Sequence, residues 1–173
     1  LDLYWARPWR VPAGFAEAAV YVGCVVQLAL LGYDPSAQLP TAADRAAGEH
    51  LLQVLAGFPG DVLLPYHGYL PTLVRKPSHA HIMQAFDVLK IGEAPSARLA
   101  AQYRTAIRRS AFDAIILDQK MSYFFLPEIE ETYALQSRVF ADPAGFFPVT
   151  GGVVTRPEYV YVPRARLKRE GLP

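Results

Sequence analysis

The chain lacks the residues and motifs that most often reveal a particular chemistry. Its single cysteine, Cys24, excludes an internal disulfide and a CxxC zinc site. No GxGxxG or Walker sequence is present, which argues against a tightly held nucleotide, and no GxSxG sequence offers a nucleophile elbow. Charge of one sign is not in excess either, since 17 Lys and Arg against 16 Asp and Glu give a net charge of +1. No overall field therefore directs the chain to nucleic acid or to an acidic partner.

One long apolar run is present near the start of the chain. Residues 11–32 carry only two strongly polar side chains, Glu17 and Gln27. These 22 residues are close to the ~20 that a helix needs to cross a bilayer core. An aromatic and arginine collar of the kind found at membrane interfaces precedes the run, and it consists of Tyr4, Trp5, Arg7, Trp9 and Arg10.

The apolar run has two interpretations. Because the chain begins at Leu1 rather than Met, we interpret it as the tail of a longer membrane protein. Residues 1–32 would then form a collar and a last membrane span, and residues 33–173 an extracytoplasmic domain. The alternative is a buried strand or core helix, because Glu17 interrupts the run and the valines around Tyr21 are good strand formers.

Beyond residue 33 the pattern alternates between helices and short apolar strands. At 173 residues the chain has the size of one domain with a single sizeable core. Helices are predicted over residues 41–57, 79–90, from Ser96 onward and over 127–140, strands over 61–65 and 112–118, and a final hairpin or edge strand within 146–163. This order predicts an α/β fold, a Rossmann-like three-layer domain with a short, mainly parallel sheet.

Candidate binding residues follow the two predicted strands, because open α/β sheets bind ligands beyond the carboxyl ends of their strands. Tyr66, His67 and Tyr69 follow the first strand, and Asp118 and Lys120 follow the second. His79 lies further along the same loop, two residues before His81. A metal bound by these histidines is not favoured, because a His-x-His pair on a helix points its rings to different sides. We therefore predict no metal and no cofactor.

Two basic segments are predicted to be surface features. The outer face of the helix after Ser96, with Arg98, Gln102, Arg108 and Arg109, is typical of solvated charge rather than of a nucleic-acid patch. The tail with Arg164, Arg166, Lys168 and Arg169 is either a solvated chain end or a segment that contacts lipid headgroups.

Three segments together resemble a known class of protein. They are YDP at 33–35 with LPTAAD at 39–44 and Gly48, then GDVLLPYH at 60–67, then FPVTG at 147–151 with RPE at 156–158. They resemble the C-terminal extracytoplasmic region of bacterial multi-spanning glycosyltransferases of the GT-C type, related to the protein mannosyltransferase and aminoarabinose transferase families. The resemblance covers most of residues 33–164, and its motifs mark a type of domain rather than a reaction.

The resemblance implies a function but no catalytic residue. Such enzymes transfer a sugar from a polyprenyl-phosphate donor, and their catalytic acidic residue lies in the first extracytoplasmic loop, far upstream of this chain. The chain would then be a non-catalytic domain on the periplasmic side of the bacterial inner membrane. It would cover the active site or help bind the acceptor, with Tyr66, His67, Tyr69 and His79 as the best candidates for sugar contacts. Its partners would be the membrane part of the same polypeptide and a lipid-linked sugar or acceptor glycan.

Two other functions stay open. One is a free-standing soluble metal-dependent hydrolase that uses His67, His79 and His81, and bound zinc on these residues would favour it. The other is an interaction domain without a ligand. Membrane spans upstream of Leu1 would favour the transferase domain over both.

Overall fold

The computed structural model describes residues 12–34, 36, 39–118, 125–141 and 156–169. The chain divides into two units, Leu1–Ala37 and Gln38–Pro173. The first unit contains helix α1, Ala13–Leu30, so the apolar run forms a helix and not a strand. In the described ranges, no helix combines the length and the apolar character that crossing a bilayer requires. The predicted collar around Trp5 and Arg10 lies outside the described residues.

The second unit is built on a four-stranded mixed sheet. Its strands are β1 (Val62–Leu63), β2 (Ala114–Leu117), β3 (Tyr133–Arg138) and β4 (Tyr159–Pro163), in the spatial order β1-β2-β4-β3. Strands β1 and β2 are parallel, whereas β4 is antiparallel to both of its neighbours. The α/β prediction is confirmed, but the prediction of a mainly parallel sheet is wrong and the Rossmann-like three-layer arrangement is not confirmed. The final segment, predicted as a hairpin or edge strand, forms β4 inside the sheet, and its residues 146–155 lie outside the described residues.

Five α-helices of the second unit surround this sheet in the described ranges: α2 (Ala42–Ala56), α3 (Ile82–Lys90), α4 (Ala94–Arg108), α5 (Leu126–Thr132) and α6 (Arg164–Arg169). A 3-10 helix, Leu70–Val74, precedes α3. Helix α2 begins as predicted, because the Thr41 hydroxyl accepts from the Asp44 amide in a capping box. Ser96 does not cap α4 as predicted; its hydroxyl donates to the Leu89 carbonyl, and Glu93 takes the cap position.

The predicted helix over residues 127–140 is wrong beyond Thr132. The backbone becomes extended at Tyr133, with φ −111° and ψ 162°, and the chain continues as strand β3. This strand pairs with the whole of β4, with an irregularity between Leu135 and Ser137. The acidic residues at the start of the segment favour a helix, but pairing with a strand more than 20 residues later in the chain decides the conformation.

Alternation along the strands gives the sheet a core on each face. One face carries Val62, Leu64, Ala114, Ile116, Val160 and Val162, which cluster with Leu51 and Leu55 of α2 and Leu167 of α6. The other face carries Leu63, Ile115, Leu117 and Tyr161, which cluster with Ile82 of α3, Ile107 of α4 and Ile129 of α5. Strands β1, β2 and β4 are therefore covered by apolar side chains on both faces, whereas the edge strand β3 exposes Gln136 and Ser137.

Because Leu55 lies in the core on the α2 face, we expect its replacement by alanine to lower the free energy of unfolding strongly. Its side chain is fully buried, so Leu55→Ala removes apolar contacts and leaves a cavity, which should lower the free energy of unfolding by about 2–5 kcal/mol. Leu73→Ala, at a side chain that is 60 % exposed, is the matched control and should cost less than about 0.5 kcal/mol. Urea unfolding of both variants measures the difference, and equal effects would contradict this assignment of the core.

Tyr133 predicts a loss of stability at alkaline pH. Its hydroxyl donates to the Phe112 carbonyl at 3.0 Å and accepts from the Phe112 amide at 3.3 Å, and burial raises its pKa from 10.0 to about 12. The unfolded chain therefore loses this proton at a lower pH than the folded chain does. The stabilisation is complete below pH 10 and is lost as the pH rises through about 12.

The test compares unfolding free energies at intervals from about pH 9 to about pH 12, the window that this pKa sets. Tyr133→Phe should flatten the decline, although it also lowers stability at neutral pH by about 1–3 kcal/mol through the two lost hydrogen bonds. Tyr69→Phe removes a hydroxyl from an exposed side chain and is the control for the substitution itself. A decline of the same size in Tyr133→Phe would show that another group causes it.

Candidate functional site

The parallel pairing of β1 with β2 places two of the predicted site residues side by side. The register Val62↔Ala114 aligns the strands, so that the residues following both strands leave the sheet at the same edge. After β1 the chain turns at His67, whose amide donates to the Leu64 carbonyl at 3.2 Å. The His67 Nε2 lies 2.8 Å from Oδ2 of Asp118, which follows β2 directly. The structure thus brings together one candidate from each predicted strand end.

Asp118 is the more deeply buried partner of this pair. Its side chain is 4 % exposed, against 18 % for His67. With an ionised carboxylate, which only accepts hydrogen bonds, the His67 Nε2 is the donor of this contact. The second carboxylate oxygen, Oδ1, is buried and has no hydrogen-bond partner among the residues that the structure describes. A buried acceptor without a donor is costly, so Oδ1 is the polar atom of the site with unused binding capacity.

A second histidine–carboxylate pair lies at the other end of the parallel strands. The His79 Nε2 is 3.0 Å from Oδ1 of Asp61, which precedes β1, and its ring packs edge-on against Phe112. At this end the Asp113 amide, just before β2, donates to the Asp61 carbonyl. His79, predicted as part of the same binding site as His67, therefore has a separate carboxylate partner.

His81 has a structural role. Its Nδ1 accepts from the Met83 amide at 3.2 Å and caps helix α3, and its ring meets Tyr66 edge-on with centroids 6.0 Å apart. The three clustered histidines thus contact three different partners. Within the described ranges, no group of three or more His, Cys, Asp or Glu side chains is arranged to hold a metal ion.

The remaining predicted site residues are placed differently from one another. Tyr66 is half-buried and packs against the core on the α3 face. Tyr69 is 63 % exposed in the turn where the Leu70 amide donates to the His67 carbonyl. Lys120 lies outside the described residues.

The loop from residue 66 to residue 81 is held by contacts that no sequence pattern predicts. The His79 amide donates to the Gly68 carbonyl at 3.1 Å, and the Lys76 ammonium donates to the Gly60 carbonyl at 2.7 Å. A Cβ atom at Gly68 would overlap the His79 carbonyl oxygen. The only signal in the sequence is a glycine directly after His67, which indicates a close approach of two backbone segments.

A cluster of charged side chains, Glu158, Arg138 and Arg156, lies near the carboxyl end of β2, which Asp118 follows. The Glu158 amide donates to the Leu117 carbonyl, which places Glu158 next to the end of β2. Its carboxylate contacts Arg138 at 3.1 Å and Arg156 at 3.9 Å, and Arg156 is buried over the Phe140 ring. Both buried charged residues of the described ranges, Asp118 and Arg156, thus come from segments at this end of the sheet.

The groove along α4 offers a weaker site. It has a volume of about 500 Å³ and is lined by Arg98, Gln102, Thr105 and Arg109 among others. These four side chains are exposed, and so is Arg108, so that all four residues predicted for the solvated face, Arg98, Gln102, Arg108 and Arg109, are exposed.

Comparisons of the chain with protein-family models, curated proteins and solved structures find no match.

Gly68 provides the sharpest test of the loop geometry. Gly68→Ala forces Gly68 and His79 apart and should lower the free energy of unfolding by about 1–3 kcal/mol. Gly57→Ala is the matched control, because Gly57 has a φ of −67° and its added Cβ meets the Val54 carbonyl at an ordinary 3.4 Å. It should be neutral or stabilise by up to about 1 kcal/mol.

The readout is thermal unfolding together with the imidazole NMR resonances of His67 and His79. Gly68→Ala should shift the resonances of both histidines, since it displaces the backbone between them. If Gly68→Ala is as stable as Gly57→Ala and leaves both resonances in place, the close approach of Gly68 to His79 is wrong.

Proposed function

We propose that the chain is the non-catalytic extracytoplasmic part of a bacterial membrane glycosyltransferase that takes its sugar from a polyprenyl-phosphate donor. The domain would cover the active site or help bind the acceptor. Its partners would be the membrane part of the same polypeptide and a lipid-linked sugar or acceptor glycan, and the basic tail would approach lipid headgroups. The location would be the periplasmic side of the inner membrane.

The proposal rests on one observation: two of the segments that carry the resemblance, 60–67 and 156–158, lie close together in the fold. GDVLLPYH at 60–67 forms β1 and ends on His67, and RPE at 156–158 ends on Glu158. His67 contacts Asp118, and the Glu158 amide donates to Leu117, the residue before Asp118. Two segments more than 80 residues apart in sequence therefore converge on one end of β2. Convergence on a strand end is what a shared binding face requires.

The chemistry available at this end supports binding rather than catalysis. A carboxylate, an imidazole and the exposed Tyr69 ring hydrogen-bond and stack on sugars, and sugars combine hydroxyl groups with apolar ring faces. The metal-dependent hydrolase receives no support, because His67, His79 and His81 contact separate partners. The cores on both sheet faces favour a three-layer description, with β1 and β2 as the parallel pair.

The test begins with the gene. The reading frame upstream of Leu1 should encode several membrane spans and an acidic residue in the first outer loop. Membranes that contain the whole protein and an acceptor glycan should transfer the sugar of a radiolabelled polyprenyl-phosphate sugar to a hydroxyl of the acceptor, with polyprenyl phosphate as the leaving group. The purified 173-residue chain should transfer none, since the catalytic acidic residue of such a transferase would lie upstream of Leu1.

The control is a whole protein with its first-loop acidic residue changed to the corresponding amide, which should be inactive while it still reaches the membrane. A start codon close to Leu1, or turnover by the isolated chain, would refute the proposal.

A further inference from the structure

We infer that Oδ1 of Asp118 is the acceptor in a binding site for a sugar hydroxyl, with His67 as the residue that positions the carboxylate. The inference rests on the proposed function for the class of ligand, and it assigns the atoms that bind it. Asp118 is buried, one of its oxygens is already held by His67, and the other has no donor among the described residues.

The missing partner must be a hydrogen-bond donor. Oδ2 is occupied by the His67 Nε2 at 2.8 Å, which fixes the plane in which the carboxylate lies. Buried carboxylate oxygens are normally satisfied, so an unpaired one at a strand end, where open α/β sheets bind ligands, requires a donor that the described residues do not supply. A hydrogen bond to an ionised acceptor is stronger than one between neutral groups, so one hydroxyl here contributes substantially to affinity.

A hydroxyl matches the site better than an ammonium group does. An ammonium group brings three donors, whereas the described residues leave one unpaired buried side-chain atom, Oδ1 of Asp118. Two of the three donors would then have no unpaired buried side-chain acceptor among the described residues. A hydroxyl brings a single donor, and the remainder of a sugar can stay hydrated.

An aromatic surface lies within one turn of the chain from His67. The Leu70 amide donates to the His67 carbonyl at 2.9 Å, which folds residues 67–70 into a turn. Tyr69 occupies this turn and is 63 % exposed, so its ring is available to the apolar face of a sugar. The site would thus combine one charged acceptor with one exposed ring.

The experiment uses the 173-residue chain in a polyoxyethylene detergent, because detergents with maltose or glucose headgroups would compete. Methyl α-D-mannopyranoside and methyl α-D-glucopyranoside are the probes, and methoxycyclohexane and methylammonium are the comparison ligands. NMR follows the Nε2–H resonances of His67 and His79. At least one glycoside should shift the His67 resonance saturably and leave that of His79 in place, whereas the comparison ligands should shift neither.

Two isosteric substitutions test whether glycoside binding depends on Asp118 in particular or on either histidine–carboxylate pair. Asp118→Asn removes the charge from the acceptor and should weaken glycoside binding at least about tenfold, in line with the strength of charge-assisted hydrogen bonds. Asp61→Asn makes the same change in the other histidine–carboxylate pair and should leave the affinity within about twofold. Tyr69→Ala should weaken binding by a smaller factor. Thermal unfolding verifies that each variant folds.

Several outcomes would overturn the inference. One is the absence of any saturable shift of the His67 resonance with either glycoside. Another is a shift with methylammonium alone, which would make the site one for amines. The third is equal weakening by Asp118→Asn and Asp61→Asn. If Asp118→Asn does not fold, the resonance shifts in the unaltered chain still decide the question.

Failure of this inference and failure of the proposed function are distinguishable. Upstream spans and sugar transfer to an acceptor by the whole protein, without glycoside binding at His67, would retain the transferase and reject the site. Glycoside binding at His67 by a chain whose gene begins near Leu1 would retain the site and reject the transferase.

Discussion

The parallel pairing of β1 with β2 is the constraint on which the candidate site depends. Only two residues of β1 take part, Val62 and Leu63, opposite Ala114 and Ile115. Because the side-chain period of a strand is two, this register sends Val62 and Leu63 into different cores. A slip of one residue would exchange these faces and move His67 away from Asp118. The burial of the two cores therefore fixes the geometry of a polar contact that lies outside them.

The local signals in the sequence were sufficient to predict that α2, α3, α4, β1 and β2 exist, although α4 begins at Ala94 rather than after Ser96. Thr41 with Asp44 marks the start of α2, and the apolar runs before His67 and Asp118 mark the two parallel strands. They were insufficient for β3, because Glu128, Glu130 and Glu131 suit a helix and only the distant β4 makes residues 133–138 a strand. The same long-range pairing placed β4 inside the sheet, which no local pattern could indicate.

In the candidate site, too, some features can be predicted from the sequence and others depend on the packing of the folded chain. The sequence predicts that His67 and Asp118 follow the ends of two strands, and the structure adds that these strands are neighbours in the sheet. The separation of His79 from His67 could not be predicted, since it depends on Asp61, which appears in the sequence only as the first residue of a strand segment. The unpaired Oδ1 of Asp118 is likewise a property of packing, because it depends on which donors the folded chain leaves within reach.

The central position of β4 has a consequence for how the domain forms. Strand β2 pairs with β4 between residues 46 positions apart, Ile115 and Tyr161, and β3 reaches the sheet only through β4. During synthesis the chain must therefore hold β2 with one unpaired edge until almost all of the domain has left the ribosome. Such an edge can pair with another chain, and contacts between distant residues form slowly. Newly made chains should depend on the late arrival of residues 159–163 to escape aggregation.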